Sequence, residues 1–371
     1  MRLVLIPVAL CTLLWTLACE IDSARALPPL GLTELGDATA TFGLSVVQGK
    51  AYVSTFAPAL SGKYFVVDGD GAVSTITVEH PSLGILRTLS EPVEAVDGDV
   101  YFVASSRDLP PTGGALYRIN APDTPVATWD GPYAIRGVDR DLRVYGYSEL
   151  DPLEFVPNSP RIFRLPTGSF SGNAGVLSVT PSGYIVGDAQ EPGTEEFQAA
   201  YWDLQRDFHQ LFDSRFAIRD RSDGAGINMG LAGPQIKYGD DDPIRLKQKN
   251  GDVLPYNRVL PSQTEFAAID FGGAYNWVYY PGIVPDTPDG ALLIEEVFPE
   301  LDGVDLSEGI DTVFATNGRI YMTFIIDNKA YLFGALDPSL GAVPEPSTLI
   351  CLAAAAMVAA VGRHRLTSLS Q

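Results

Sequence analysis

The feature that most constrains the fold of this 371-residue chain is a turn motif that returns at a nearly constant interval. It reads Val47-Gln48-Gly49-Lys50-Ala51-Tyr52-Val53, then Val96-Asp97-Gly98-Asp99-Val100-Tyr101-Phe102, Val138-Asp139-Arg140-Asp141-Leu142-Arg143-Val144-Tyr145, and Val179-Thr180-Pro181-Ser182-Gly183-Tyr184-Ile185-Val186. Weaker copies occupy residues 227–231, 269–275 and 314–321. Aligned at residues 49, 98, 140, 183, 230, 273 and 318, successive copies stand 42 to 49 residues apart. Each places a short polar turn between alternating apolar residues, which is the pattern of a β-hairpin. A second strand-like segment follows most copies, at 63–67, 115–119, 161–165, 199–204, 242–246 and 329–333. A unit of three or four such strands is too small to bury its own apolar faces and must stack on its neighbours.

A period near 45 with up to four short strands resembles the blade of a β-propeller, and seven units account for residues 27–342. The expected fold is therefore all-β, a seven-bladed β-propeller. Ring closure predicts a strand from the chain start in the last blade, with Ala38-Thr39-Ala40-Thr41-Phe42-Gly43-Leu44 beside Tyr331-Leu332-Phe333. Tandem β-sandwiches are the alternative, since they also alternate strands with turns. Composition agrees with either, because Gly 36 and Pro 28 accompany many Val, Tyr, Phe and Thr. Trp129-Asp130 and Trp202-Asp203 are similar to the WD dipeptide but lack its Gly-His partner.

The two ends read differently. Arg2 precedes the apolar run 3–18, and Ala24-Arg25-Ala26 offers small residues at alternating positions, so residues 1–26 read as a secretory signal cleaved after Ala26. A permanent N-terminal membrane helix and a lipoprotein signal around Thr16-Leu17-Ala18-Cys19 are the alternatives. At the far end, Val343-Pro344-Glu345-Pro346-Ser347-Thr348 leads into the apolar run 349–361 and then Gly362-Arg363-His364-Arg365. Pro344 and Pro346 keep their segment out of a helix. Arg363 and Arg365 would stay on the cytoplasmic side of a membrane crossed by 349–361. That crossing is short: thirteen residues span about 20 Å as helix, against a hydrocarbon core of about 30 Å.

This order of Pro-Glu-Pro, hydrophobic helix and arginine cluster in residues 343–371 resembles the PEP-CTERM family of sorting signals. The resemblance implies export, membrane retention through the helix, and cleavage near Pro344-Glu345-Pro346 by a membrane exosortase. It says nothing about the fold ahead of it.

Between the ends the chemistry is sparse. Cys11, Cys19 and Cys351 all lie in the terminal apolar segments, so the central region has no disulfide, thiolate site or cysteine nucleophile. A net charge of −21 disfavours nucleic acid as a partner and favours solubility outside the cell. His80 and His209 fall in different repeats, and no nucleophile elbow, phosphate loop or zinc signature is present. Asp68-Gly69-Asp70-Gly71 and Gly239-Asp240-Asp241-Asp242 are the acidic turns that would suit calcium, yet neither completes an EF-hand loop and both read first as turns. No catalytic residue, cofactor or resident metal is therefore assigned. Tyr275, Trp277, Tyr279 and Tyr280 read as core before they read as a sugar-stacking platform. The expectation is a non-enzymatic cell-surface or extracellular-matrix protein, membrane-anchored or released. Its partners would be signal peptidase, exosortase, the membrane and extracellular polysaccharide. A secreted carbohydrate-active enzyme or lectin-like binder is the alternative.

Overall fold

The computed structural model describes residues 27–338 apart from 57–61, 81–83, 86–87, 107–111, 149–150, 158, 160, 169–173, 191–192, 194–196, 211–213, 218–225, 231–232, 238–243, 246–257, 262–265, 271–276 and 280–291. The expected signal segment with Ala24 and Ala26 lies outside the described residues, as does the tail with Pro344, Glu345, Pro346, the expected helix 349–361, Arg363 and Arg365. Among the described residues no helix is long and apolar enough to cross a membrane.

The fold is all-β and built from antiparallel meanders. The first sheet orders Ala40–Val47, Lys50–Phe56, Gly62–Val67 and Val73–Thr77 from inside to outside. The second begins with Thr88–Leu89 and Val93–Glu94, which both pair with Val100–Ser105, and continues through Gly113–Arg118 to Ala121–Asp130. The third holds Tyr133–Val138, Val144–Ser148, Asp151–Phe155 and Ile162–Arg164, and the fourth Ala174–Val179, Ile185–Gln190, Phe197–Trp202 and Phe208–Gln210. The fifth comprises Ser214–Ala217, Gly226–Gly230, Gly233–Lys237 and Ile244–Arg245, the sixth Arg258–Pro261, Ala267–Asp270, Trp277–Tyr279 and Leu292–Leu293. The seventh runs Ile310–Thr316, Arg319–Ile326, Lys329–Leu336, and its outer strand is Gly31–Asp37.

Each sheet packs on the next in chain order, and Ile310–Thr316 of the seventh touches both Arg258–Pro261 and Ala40–Val47, so the circuit closes in a β-propeller-like arrangement. The core is divided accordingly. Leu44, Val53 and Phe65 of the first sheet bury against Ile325 and Leu332 of the seventh. Tyr64, Phe102 and Tyr117 join the first sheet to the second, with ring centroids 5.2 and 5.5 Å apart in sequence. Val103 and Leu116 meet Ile135 and Phe155 between the second and third. Burying apolar faces of these sheets against their neighbours replaces a single central core and needs no disulfide.

The turns obey local rules. Gln48-Gly49, Asn317-Gly318 and Asp327-Asn328 all have positive φ at both central residues, the type I′ geometry whose twist matches the flanking strands. A one-residue bulge interrupts the innermost strand between Thr41 and Gly43, Ile135 and Gly137, Val176 and Ser178, and Ile310 and Thr312. In the second sheet the same strand is broken outright at Ser90-Glu91-Pro92, where proline cannot donate to a ladder.

Three expectations are corrected. The closing strand is Gly31–Asp37, paired Gly31↔Gly334 through Asp37↔Lys329, and not 38–44. Ala40–Val47 is instead captured by its own tight hairpin with Lys50–Phe56 and buries Thr41, Gly43, Leu44 and Ser45, whereas the outer position accepts the alternately exposed Gly31–Asp37. The copies aligned at 230 and 273 fall in the chain between second and third strands, one strand later than the other five. Segments 161–165 and 242–246 contain fourth strands, not third.

Candidate functional site

The hairpin turns after the innermost strands of the first four sheets are joined by hydrogen bonds into a collar. Gln48 Nε2 donates to Gly98 O at 2.7 Å and to Glu94 Oε1 at 3.3 Å, linking the first and second sheets. Val96 N donates to Arg140 O at 3.1 Å, and Arg140 N to Pro181 O at 2.9 Å, carrying the chain on to the third and fourth. Since every link crosses between sheets, the collar fixes the spacing of the turns.

Under this collar lies a cavity of about 330 Å3. Its walls include Val46, Val47, Val93, Val179 and Phe314 from four innermost strands. Among the described residues these strands have a ladder partner on one side only. The polar lining includes Ser45, Glu91, Glu94, Arg140 and Asn317, and Leu27 joins the wall from the chain start. Glu91 reaches the cavity because of the break at Ser90-Glu91-Pro92. Ser45 is 4% exposed, and its hydroxyl has no hydrogen-bond partner among the described residues. An unpartnered buried hydroxyl is costly, so its retention beside a polar cavity points to an occupant.

A second polar cluster clasps the third and fourth sheets. Arg206 Nε sits 3.2 Å from Glu154 Oε2, and Nη2 sits 3.4 Å from Asp139 Oδ2 while also donating to Tyr145 Oη. Nη1 donates to Gly183 O at 3.1 Å. Asp139 accepts the backbone N–H groups of Asp141 and Arg143 at 3.0 and 2.9 Å and the Tyr145 hydroxyl at 3.0 Å. Burial nevertheless pushes the Asp139 carboxyl above its ordinary range, against the downward pull of those hydrogen bonds and of Arg206. Burial raises Tyr145 as well, reinforced by the Asp139 charge. The cluster is a structural lock: every polar atom of the guanidinium is committed to a neighbouring turn or carboxylate.

The sequence-level candidates are distributed widely. His209 Nε2 contacts Asp203 Oδ2 at 2.8 Å while its ring stacks on Tyr201 at 4.6 Å, so it holds a turn. Burial acts upward on Asp203, but His209 and two backbone N–H groups outweigh it and lower that carboxyl. His80 lies in the short strand Glu79–His80, away from His209 in the chain order of sheets. Asp68 and Asp70 form a turn closed by Gly71 N to Asp68 O and Ala72 N to Asp70 Oδ1, with Lys50 2.7 Å from Asp68. Residues 239–242, Tyr275 and Tyr280 fall outside the described residues, while Trp277 and Tyr279 belong to a strand of the sixth sheet. Trp129 and Trp202 are core residues. Among the described residues no three His, Cys, Asp or Glu side chains group closely enough to hold a metal ion. Ser45, Glu91, Glu94 and Arg206 escaped sequence reasoning. Pro92 within an otherwise strand-like stretch was the one local sign of the break that turns Glu91 inward.

Residues 342–365 match the PEP-CTERM protein-sorting motif, so the C-terminal segment is a sorting signal that marks the chain for export and for exosortase processing. Comparison with curated proteins finds no match. Among solved structures the chain is similar to PorZ, a surface component of the type-IX secretion system of Porphyromonas gingivalis, at 13% identity over 79% of this chain, TM-score 0.46. It is similar to a puromycin hydrolase at 11% identity over 85% of this chain, TM-score 0.43. It spans 46% and 56% of those two chains, less than two thirds of either. The six-bladed Aleuria aurantia lectin aligns at 11% identity over 86% of this chain and 100% of its own length, TM-score 0.35. All three scores fall below 0.5, so the fold rests on this chain's own strand pairing.

Proposed function

We propose that this chain is an exported cell-surface or extracellular-matrix protein with a non-enzymatic binding or structural role, presented on a seven-bladed β-propeller spanning residues 27–342. The PEP-CTERM motif at 342–365 carries this reading. Signal peptidase would remove residues 1–26, and exosortase would cut near Pro344-Glu345-Pro346 while the helix 349–361, backed by Arg363 and Arg365, holds the tail in the membrane. Seven four- or five-stranded sheets in a closed circuit support the blade count. The seventh sheet suits a domain tethered at its end, because Gly31–Asp37 pairs with the last strand, Lys329–Leu336, and clasps it. Mass spectrometry of the protein recovered from its host should find a C-terminus near residue 346. Replacing Pro344, Glu345 and Pro346 together by alanine should leave export intact while full-length precursor accumulates in membranes. An intact C-terminus in a host with active exosortase refutes the reading.

Glu91 and Glu94 lining one cavity favour a second reading, a carbohydrate-active enzyme using paired carboxylates. Reducing-sugar release from polysaccharide, abolished by Glu94→Gln, would establish it over the first.

A further inference from the structure

We propose that the cavity under the collar is the seat of the chain's own mature N-terminus. The inference rests on the export reading above, in which signal peptidase hydrolyses the Ala26–Leu27 bond. Water adds across that bond, leaving a carboxylate on Ala26 and an amine on Leu27, and the amine is protonated at neutral pH because α-amino groups titrate at about 7.7–8.0. Processing therefore creates a cation at a residue that already lines the cavity.

The geometry holds that residue in place. Pro28 O accepts from Arg319 Nη1 and from Tyr321 Oη, each at 3.0 Å, and three residues later Gly31–Asp37 is locked into the seventh sheet. Leu27 is half-buried between this anchor and the collar. An α-ammonium group offers three N–H donors. The cavity offers the Glu91 and Glu94 carboxylates and the Ser45 hydroxyl, whose oxygen is buried without a partner among the described residues. Glu94 already accepts from the exposed Gln48, and Arg140 is the cation that shares the lining, so the glutamates gain a second positive charge only after cleavage. In the precursor the same position holds an uncharged amide. Signal-peptide removal then completes the closure of the ring, and the exported domain becomes more stable than its precursor.

The test is a mutational cycle on protein exported and purified from its host. Inserting Gly-Ser between Ala26 and Leu27 makes the mature chain begin two residues early and moves the ammonium out of the cavity. The melting temperature should fall by about 2–4 °C. In a Glu91→Gln, Glu94→Gln background the same insertion should cost nothing further, because coupled groups do not add. Should that double variant fail to fold, the single variants Glu91→Gln and Glu94→Gln decide, and at least one of them should narrow the difference between native and extended chains. An extension that leaves the melting temperature unchanged overturns the proposal. So does an equal loss in the glutamine backgrounds, or a mature N-terminus other than Leu27. Each of these leaves exosortase processing at the other end of the chain standing, since that is read from the mature C-terminus.

Discussion

Removing Arg206 is the sharpest probe of how neighbouring sheets are held. Its side chain is 15% exposed, against 4% for Asp139 and 15% for Glu154. Arg206→Ala leaves both carboxylates buried with no guanidinium, and breaking a buried ion pair in this way costs about 3–5 kcal/mol. The lower end applies, because Asp139 keeps the Tyr145 hydroxyl and two backbone N–H groups. At about 2 °C per kcal/mol for a domain this large, 3 kcal/mol lowers the melting temperature by about 6 °C. The pH dependence identifies the cause. The Asp139 carboxyl is already raised by burial, and loss of the arginine raises it further. A carboxyl whose folded pKa exceeds its unfolded value of about 3.9 contributes stability at pH below that value and loses it as pH rises through the folded pKa. The gap between wild type and variant should therefore narrow on going from pH 7 to pH 5 in thermal melts followed by circular dichroism. Arg206→Lys should fall between the two, keeping the charge but not the fork. A loss under about 2 °C, or a gap independent of pH, refutes the assignment of Arg206 as the counter-charge.

Further outcomes follow from the same packing. In Gly187→Ala the new Cβ would lie 1.9 Å from Gly175 O and 3.0 Å from Trp202 Cζ3, so urea denaturation should show a loss of about 3 kcal/mol, the upper end for overpacking, and a loss below about 1 kcal/mol would contradict this close approach. Asp311 accepts from Thr41 N and Thr41 Oγ1 at 3.1 and 2.8 Å while burial raises its carboxyl, so its ionised form opposes folding at neutral pH. Asp311→Asn should melt at or slightly above wild type at pH 7 and lose that advantage near pH 4; a drop exceeding about 1 kcal/mol at pH 7 would show that the charge itself is needed. Tyr321→Phe deletes the hydrogen bond to Pro28 O and should cost about 1 kcal/mol while speeding amide exchange in Gly31–Asp37; unchanged exchange there would mean the clasp does not depend on it.

What could be read from the chain alone was whatever a few adjacent residues decide. Gln48-Gly49 and Asn317-Gly318 announce tight hairpins because only certain side chains tolerate positive φ at both positions, and that requirement is met within the turn. Repetition of such turns near every 45 residues gave the all-β class, and the tail motif at 342–365 is likewise a contiguous word. The errors occurred where two local patterns compete. Gly230 and Gly273 look like the turns at Gly49 and Gly183, but which hairpin of a meander they occupy depends on the strands around them. Residues 31–37 and 40–47 are both plausible closing strands until burial sends the apolar one inward and leaves the alternating one at the edge. The cavity and the Arg206 lock were illegible for a stronger reason. Ser45, Glu91, Glu94 and Arg140 come from three sheets, and Arg206 meets Asp139 across 67 residues of chain. Hairpin chemistry is settled over a few residues, whereas pairing charges and hydroxyls across sheets requires the ring to close first, and only the tertiary structure carries that information.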